Sequence, residues 1–287
     1  MDINFDEYFS SVTPIVAIVP LIENIIITVF LAFLLAVVYN KYGSTLLNRK
    51  QFSKFFILVY FLKNIDWEYM IDALFIVPGN AQGVYQTLSE DYSAIETPTW
   101  ALLLAESCRS IGYKVGIIDV NAEKLTHQEA LDRVVDISPR FVVFVVYGQN
   151  VNAGTTNMSG AVPLSNFFKL ADLNPPIVYI GSHVQALPIE TLEKEESIDI
   201  VCTNEGVYAL WNLLKISRIN PVALSKVNGI GYRDFDSVKL TNPEAVVPQD
   251  RLDLDLPGYA WDLLPFKEKP FDLYRSPMWH AEYDFNN

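Results

Sequence analysis

The hydrophobic pattern divides the chain into two regions. From Pro14 to Tyr39 a 26-residue run carries one charge, Glu23, and the stretch Ile25 to Tyr39 carries none. No polar face recurs at helical spacing through Ile25 to Val38, so the pattern predicts a helix that is apolar all round. A bilayer span needs about 20 such residues, and residues 21–40 supply them, with Glu23 and Asn24 near one end. A second apolar run, Phe52 to Leu62, has 11 residues and includes Lys54. It is too short to cross alone, and either lies at the interface or begins an incomplete second span.

Beyond Asp66 short β-branched runs alternate with amphipathic ones. Ile71 to Val77, Val115 to Val120, Phe141 to Tyr147, Pro176 to Ile180 and Ile198 to Cys202 read as strands, and Phe141 to Tyr147 is apolar on both faces, as an interior parallel strand requires. Between and after them Thr99 to Ile111, Thr126 to Ile137, Val162 to Leu173 and Gly206 to Ile216 read as helices. The first is announced by Thr97 and Pro98, closed by Gly112, and aligns positions 100, 103, 104, 108 and 111 on one face. Strands each followed by a helix predict an α/β fold with a doubly wound, five-stranded parallel sheet, preceded by the transmembrane helix. Ile230 to Arg233 and Val238 to Leu240 suggest a small hairpin, and the Pro- and aromatic-rich stretch from Pro257 reads as a linker. The expected organisation is a membrane-anchor region at 1–65, an α/β domain at 66–228, and a hairpin with linker at 229–287.

Charge sharpens this division. The chain has 287 residues, with 34 acidic against 21 basic side chains and a net charge of −13. Residues 1–64 carry +1 and the remainder −14. The basic residues from Lys41 to Lys63 follow the apolar run, so the positive-inside rule places the α/β domain in the cytoplasm of a membrane-anchored protein. The acidic start (Asp2, Asp6, Glu7) is unlike that of a cleaved signal peptide. Such a charge argues against nucleic acid as a partner. Cys108 and Cys202 stand far apart, without the spacing of a zinc site or a disulfide scaffold.

In a doubly wound sheet, ligands sit beyond the carboxyl ends of the strands. The candidate loops therefore contain Pro78, Gly79 and Asn80; Asp119, Val120 and Asn121; Tyr147, Gly148 and Gln149; Gly181, Ser182 and His183; and Glu205 and Gly206. They hold neither GxGxxG nor GxxxxGK[ST], which excludes the common phosphate cradles, and no GxSxG nucleophile elbow. The three histidines, His127, His183 and His280, lack metal-ligand spacing. Asp119 ends a strand as a receiver-domain aspartate would, but Pro78-Gly79-Asn80 replaces the acidic cluster that such a domain needs.

Several segments carry a resemblance. They are Phe75 to Asn80; Leu102 to Gly112 with Val115 to Glu123; Tyr179 to Pro188; Asn204-Glu205-Gly206; and the exit segments Gly229 to Asp234, Leu256-Pro-Gly-Tyr-Ala-Trp-Asp-Leu-Leu-Pro265, Tyr274-Arg275 and Trp279-His280. In this order, from about Ile71 to His280, the chain resembles the N-terminal cobalamin-binding domain of cobalamin-dependent radical S-adenosylmethionine enzymes. The resemblance implies a corrinoid across the strand ends, in a module similar to the cofactor domain of radical methyltransferases, and the apolar run would hold that module at membrane lipid. It also implies a separate radical S-adenosylmethionine domain as a partner.

In cobalamin mutases and methionine synthase, DxHxxG supplies a lower histidine to cobalt. Here Asp119-Val120-Asn121 has Asn at that place, and a carboxamide is a poor cobalt ligand, so a cobalamin without a histidine lower ligand is expected. Alternatively, Asp119 and Asn121 only shape the turn, and His183 and Glu205 only satisfy local hydrogen bonds. The glycine pairs usual in the family are Gly181-Ser182 and Asn204-Glu205-Gly206 here. With two cysteines the chain has no CxxxCxxC, so no iron-sulfur cluster and no complete radical enzyme is expected within it. The alternatives are a non-binding remnant or interaction domain anchored to the membrane, and a truncated enzyme.

Overall fold

A computed structural model describes residues 71–79, 95–148, 151–235, 237–265 and 273–274. All belong to the unit Glu68–Asn287, which is set off from Met1–Trp67. The expected span at 21–40 and the run at 52–62 lie outside the described residues. Among those that are described, no helix is long and apolar enough to cross a membrane.

Five parallel strands form the centre: β1 (Ala73–Val77), β2 (Val115–Asp119), β3 (Phe141–Val145), β4 (Ile177–Ile180) and β5 (Ile200–Cys202). The sheet does not stop at five. The hairpin of β6 (Ile230–Asp234) and β7 (Ser237–Leu240) adds antiparallel to β5, giving seven strands in the order β2-β1-β3-β4-β5-β6-β7. Tyr232, 3% exposed, shows why: β6 has a buried apolar face, which a free hairpin would leave in water.

Both faces of the sheet are covered. On one, Phe75, Val143 and Ile180 pack against α1 (Thr99–Ser110) and α6 (Val207–Lys215). On the other, Ile76, Phe144 and Tyr179 pack against α2 (His127–Ile137) and α3 (Val151–Leu170), followed by the short α4 (Ser182–Ala186) and α5 (Pro188–Lys194). Burial on both faces is why these strands read as continuous apolar runs. In α2, Thr126 and Glu129 form a reciprocal capping box, which fixes the helix start at the predicted place.

Several boundaries differ from the periodicity. The buried face of α1 comprises Ala101, Leu102, Leu104, Ala105 and Cys108, and Trp100 and Leu103 are only half-buried. Pro98, not Thr97, stands at the N-cap of α1 and makes no side-chain cap bond. Helix α3 begins at Val151, well before Val162, because its first turns hold small residues that carry no apolar stripe. The segment after Pro257 is not a free linker. Ala260 is fully buried, its N–H donates to Leu102 O at 3.3 Å, and Leu264 is buried in the same core. Before it, Arg251 and the Tyr208 hydroxyl hold the Asp255 carboxylate, and the Ser107 hydroxyl donates to Asp255 O at 2.6 Å. Beyond β7 the chain therefore docks onto α1 and α6.

Candidate functional site

Strand order reverses between β2-β1 and β3-β4-β5, so the crevice of this sheet lies at the carboxyl ends of β1 and β3. Two groups of loops flank it.

On the β1 side, Pro78 and Gly79 meet the turn after β2. The Val120 N–H donates to Val77 O at 3.0 Å, tying the two strand ends together. A Cβ on Gly79 would lie 2.7 Å from Asn121 Cα and Cβ, so glycine is required for this contact. Asn121 is half-buried, and its carboxamide makes no hydrogen bond among the described residues. Asp119 is 1% exposed; its Oδ1 accepts from the Ala122 N–H at 2.9 Å and its Oδ2 from the Tyr274 hydroxyl at 3.0 Å. Burial lifts its carboxyl to about 6, against the opposing pull of these donors. Asp119 thus shapes its own turn and anchors the exit segment, whereas Asn121 alone of the pair presents a free polar group.

On the β3 side, the Val146 N–H donates to Ile180 O at 2.7 Å. A Cβ on Gly181 would fall 2.5 Å from Val146 O, so this glycine permits backbone contact between the β3 and β4 ends. Tyr147 and Gly148 follow, both half-buried. The Tyr147 ring stacks on Trp100, the second residue of α1, with centroids 4.5 Å apart and planes inclined 23°. Because Trp100 belongs to the helix after β1 and Tyr147 to the loop after β3, the pair bridges the crevice. Burial raises the Tyr147 phenol far above its ordinary range, so it is protonated at any working pH. His183 Nδ1 lies 3.2 Å from Thr155 Oγ1, and Ser182 lies beside Gly154.

Glu205 and Gly206 follow the end of β5, and the Glu205 charge adds to the raising of the Tyr147 phenol. The Glu205 carboxylate accepts from the Val247 N–H at 2.7 Å, and Asn204 Oδ1 accepts from the Gly206 N–H at 2.9 Å. Gly206 adopts φ +91°, a left-handed conformation natural to glycine, and a Cβ there would strike Ile180. These groups hold the strap after β7 in place. Asn80 and Gln149 lie outside the described residues.

Trp100 was not legible as a site residue. Its place in the helical pattern marks it as core, and only the pairing of β1 with β3 brings it to Tyr147. Tyr274 carried no chemical signal either. Both thiols are fully buried, which pushes Cys202 up to about 12 and Cys108 higher still, so neither is a nucleophile.

No known protein-family model matches the chain, and no curated protein matches it. Among solved structures it is similar to the cobalamin-dependent S-adenosylmethionine radical enzyme OxsB with aqua-cobalamin and S-adenosylmethionine bound. The TM-score is 0.50 at 19% identity, over 68% of this chain and 25% of that one. It is also similar to the radical S-adenosylmethionine methyltransferase TsrM from Kitasatospora setae with tryptophan substrate and S-adenosylmethionine analogue bound, with a TM-score of 0.45 at 14% identity, over 60% and 30% of the two chains. The chain spans about a quarter of the length of OxsB. At this identity the likeness to OxsB is one of fold.

Proposed function

We propose that the crevice between β1 and β3 binds a corrinoid, and that the chain is a cobalamin-binding module. The observation that carries this is the Trp100–Tyr147 stack at the switch point. It offers a flat apolar surface where a flavodoxin-like sheet takes its ligand. The likeness of fold to OxsB, which holds aqua-cobalamin, supports the same assignment.

The residues present fit such a group. Gly79 and Gly181 let the backbones of neighbouring loops close up at the strand ends on either side of the crevice. Asn121, with no partner among the described residues, is suited to hydrogen-bond the amide side chains of a corrin rim. Tyr147 and Trp100 exclude water beneath it, and His183 borders the β4 side. When bound, cobalamin supplies a cobalt centre able to carry a methyl group. With Asn121 in the DxH position, the chain offers it no histidine there. The radical domain implied by the resemblance would be a separate partner, and residues 21–40 would tether the module to the membrane, with the α/β domain in the cytoplasm. That last assignment rests on the apolar run and the basic residues after it.

A second function is favoured by one observation: Asp119 and Glu205 are already satisfied from within the chain, as in a rim that has lost its ligand. Gel filtration of the full chain in detergent with hydroxocobalamin separates the two. A corrinoid visible spectrum that co-elutes with protein supports binding; colourless protein at micromolar cofactor supports the remnant.

A further inference from the structure

The turn after β2 carries two polar side chains of opposite character. Asp119 is sealed in, whereas Asn121 is half-buried, and its Cα, Cβ and Oδ1 fill the place that a side chain on Gly79 would need. The Asp119 carboxylate organises this turn. Its Oδ1 accepts from the Ala122 N–H at 2.9 Å, the Asn121 N–H favours the ionised form in the same way, and the Asp119 carbonyl accepts from the Glu123 N–H at 3.0 Å.

A carboxylate so buried has no water to complete its shell, so its second oxygen needs a donor from the chain. Tyr274 supplies one at 3.0 Å, from 155 residues further along. Burial and the Asp119 charge push the Tyr274 phenol above its ordinary range, so it remains a protonated donor. Its ring packs on the same core layer as Val77, Trp100 and Tyr147.

The surroundings give this donor weight. Among the described residues no cation pairs with Asp119. The charge that acts on it is Glu123, which disfavours ionisation and is itself tied to Arg133 at 2.7 Å. The ionised form therefore depends on N–H and O–H donors, and Tyr274 is the one that comes from outside the turn.

We propose that Tyr274 is a positioning residue of the crevice: by donating to Asp119 it holds the 119–122 turn in the form that sets Asn121 against Gly79, so that docking of Tyr274 and occupation of the crevice favour each other. Such coupling is reciprocal. It runs through the ionised carboxylate, because a protonated carboxyl gives up acceptor capacity. Asn121 is accordingly held best above the pH at which Asp119 ionises, near 6, and loosened below it. The ligand part of this inference rests on the corrinoid reading above; the effect on Asn121 does not.

The test therefore has an arm without ligand and an arm with it, both on the full chain in detergent. In the first, the Asn121 side-chain amide, identified by its loss in Asn121→Ser, is followed by heteronuclear NMR across pH. The wild type is expected to titrate with a midpoint near 6, Tyr274→Phe at a clearly higher pH, and Asp119→Asn not at all. In the second, dialysis of hydroxocobalamin is expected to show an affinity that rises through the same range. It should be about threefold to tenfold weaker in Tyr274→Phe at neutral pH and independent of pH in Asp119→Asn. A merely structural role would lower affinity equally at every pH and leave the midpoint in place.

An Asn121 signal that does not titrate in the wild type, or an unchanged midpoint in a Tyr274→Phe chain shown by circular dichroism to be folded, would overturn the proposal. So would an Asn121 signal that still titrates in Asp119→Asn, which decides the matter even if Tyr274→Phe fails to fold. A wild type that retains no corrinoid at any pH would overturn the corrinoid reading and the link to occupancy, whereas a midpoint shifted in Tyr274→Phe would still establish that Tyr274 positions Asn121.

Discussion

The Tyr274 hydroxyl donates to Asp119 Oδ2 at 3.0 Å, joining the exit segment to the last residue of β2. With the Ala122 N–H on the other oxygen, the carboxylate is held entirely by the chain's own groups. Burial still outweighs both donors and keeps the carboxyl near 6.

This raised value fixes a pH dependence. Between about pH 4, where an unfolded aspartate ionises, and the folded value of about 6, the folded chain holds a proton that the unfolded chain has released. Stability contributed by Asp119 therefore falls as pH rises through that window and levels off above it. Asp119→Asn should flatten this slope and stabilise the protein at neutral pH by up to about 3 kcal/mol. Denaturant unfolding across the window checks it, and a variant that keeps the wild-type slope would assign it to another group.

Tyr274→Phe removes a donor from a buried carboxylate. We expect a loss of about 1 to 2 kcal/mol at neutral pH, together with a further rise of the Asp119 pKa, since that hydroxyl favours the ionised form. The carboxyl stretching band in the infrared spectrum should persist to higher pH in the variant than in the wild type.

Gly79→Ala and Gly181→Ala place a methyl group against backbone, at 2.7 Å from Asn121 Cα and 2.5 Å from Val146 O. Each should cost about 1 to 3 kcal/mol. Gly112→Ala meets no atom within 4 Å and is strained only by its φ of +93°, so it should cost about 1 kcal/mol. Urea midpoints of the three variants give the ranking.

Asp199 accepts from Lys169 at 2.7 Å and from the Ile177 N–H at 2.7 Å, securing the start of β4. Asp199→Ala should cost about 1 to 2 kcal/mol, most of it from the backbone donor left behind, because the half-exposed ion pair is worth little. Lys169→Met should therefore cost clearly less, which paired unfolding curves will show.

The strands and the winding of this fold were legible because burial on both faces imposes long apolar runs such as Phe141 to Val145. The helix at Thr126 to Ile137 was legible from its amphipathic period, and its start is set locally by the capping box of Thr126 and Glu129. What escaped depends on distant contacts. The addition of β6 to β5 is set by the facing of Tyr232 onto the core, and hydropathy of a short hairpin does not reveal its neighbour. The loops beyond the strands were identified as a set, yet which of them meet follows from strand order. That order brings Trp100 to Tyr147 and leaves Glu205 holding the strap at Val247. Gly79 and Gly181 were visible as glycines at strand ends; that they serve contact between loops emerges only from the packed backbone.

The central claim is that a flat macrocycle rests on the aromatic pair at the β1/β3 crevice. Equilibrium dialysis of hydroxocobalamin against the full chain and its Tyr147→Ala variant tests it most directly, with circular dichroism to verify that the variant is folded. We predict saturable binding by the wild type and a loss of at least about tenfold in the variant, in keeping with the loss of an aromatic stacking surface. No retention of corrinoid by the wild type, or equal retention by a folded Tyr147→Ala chain, would contradict the account.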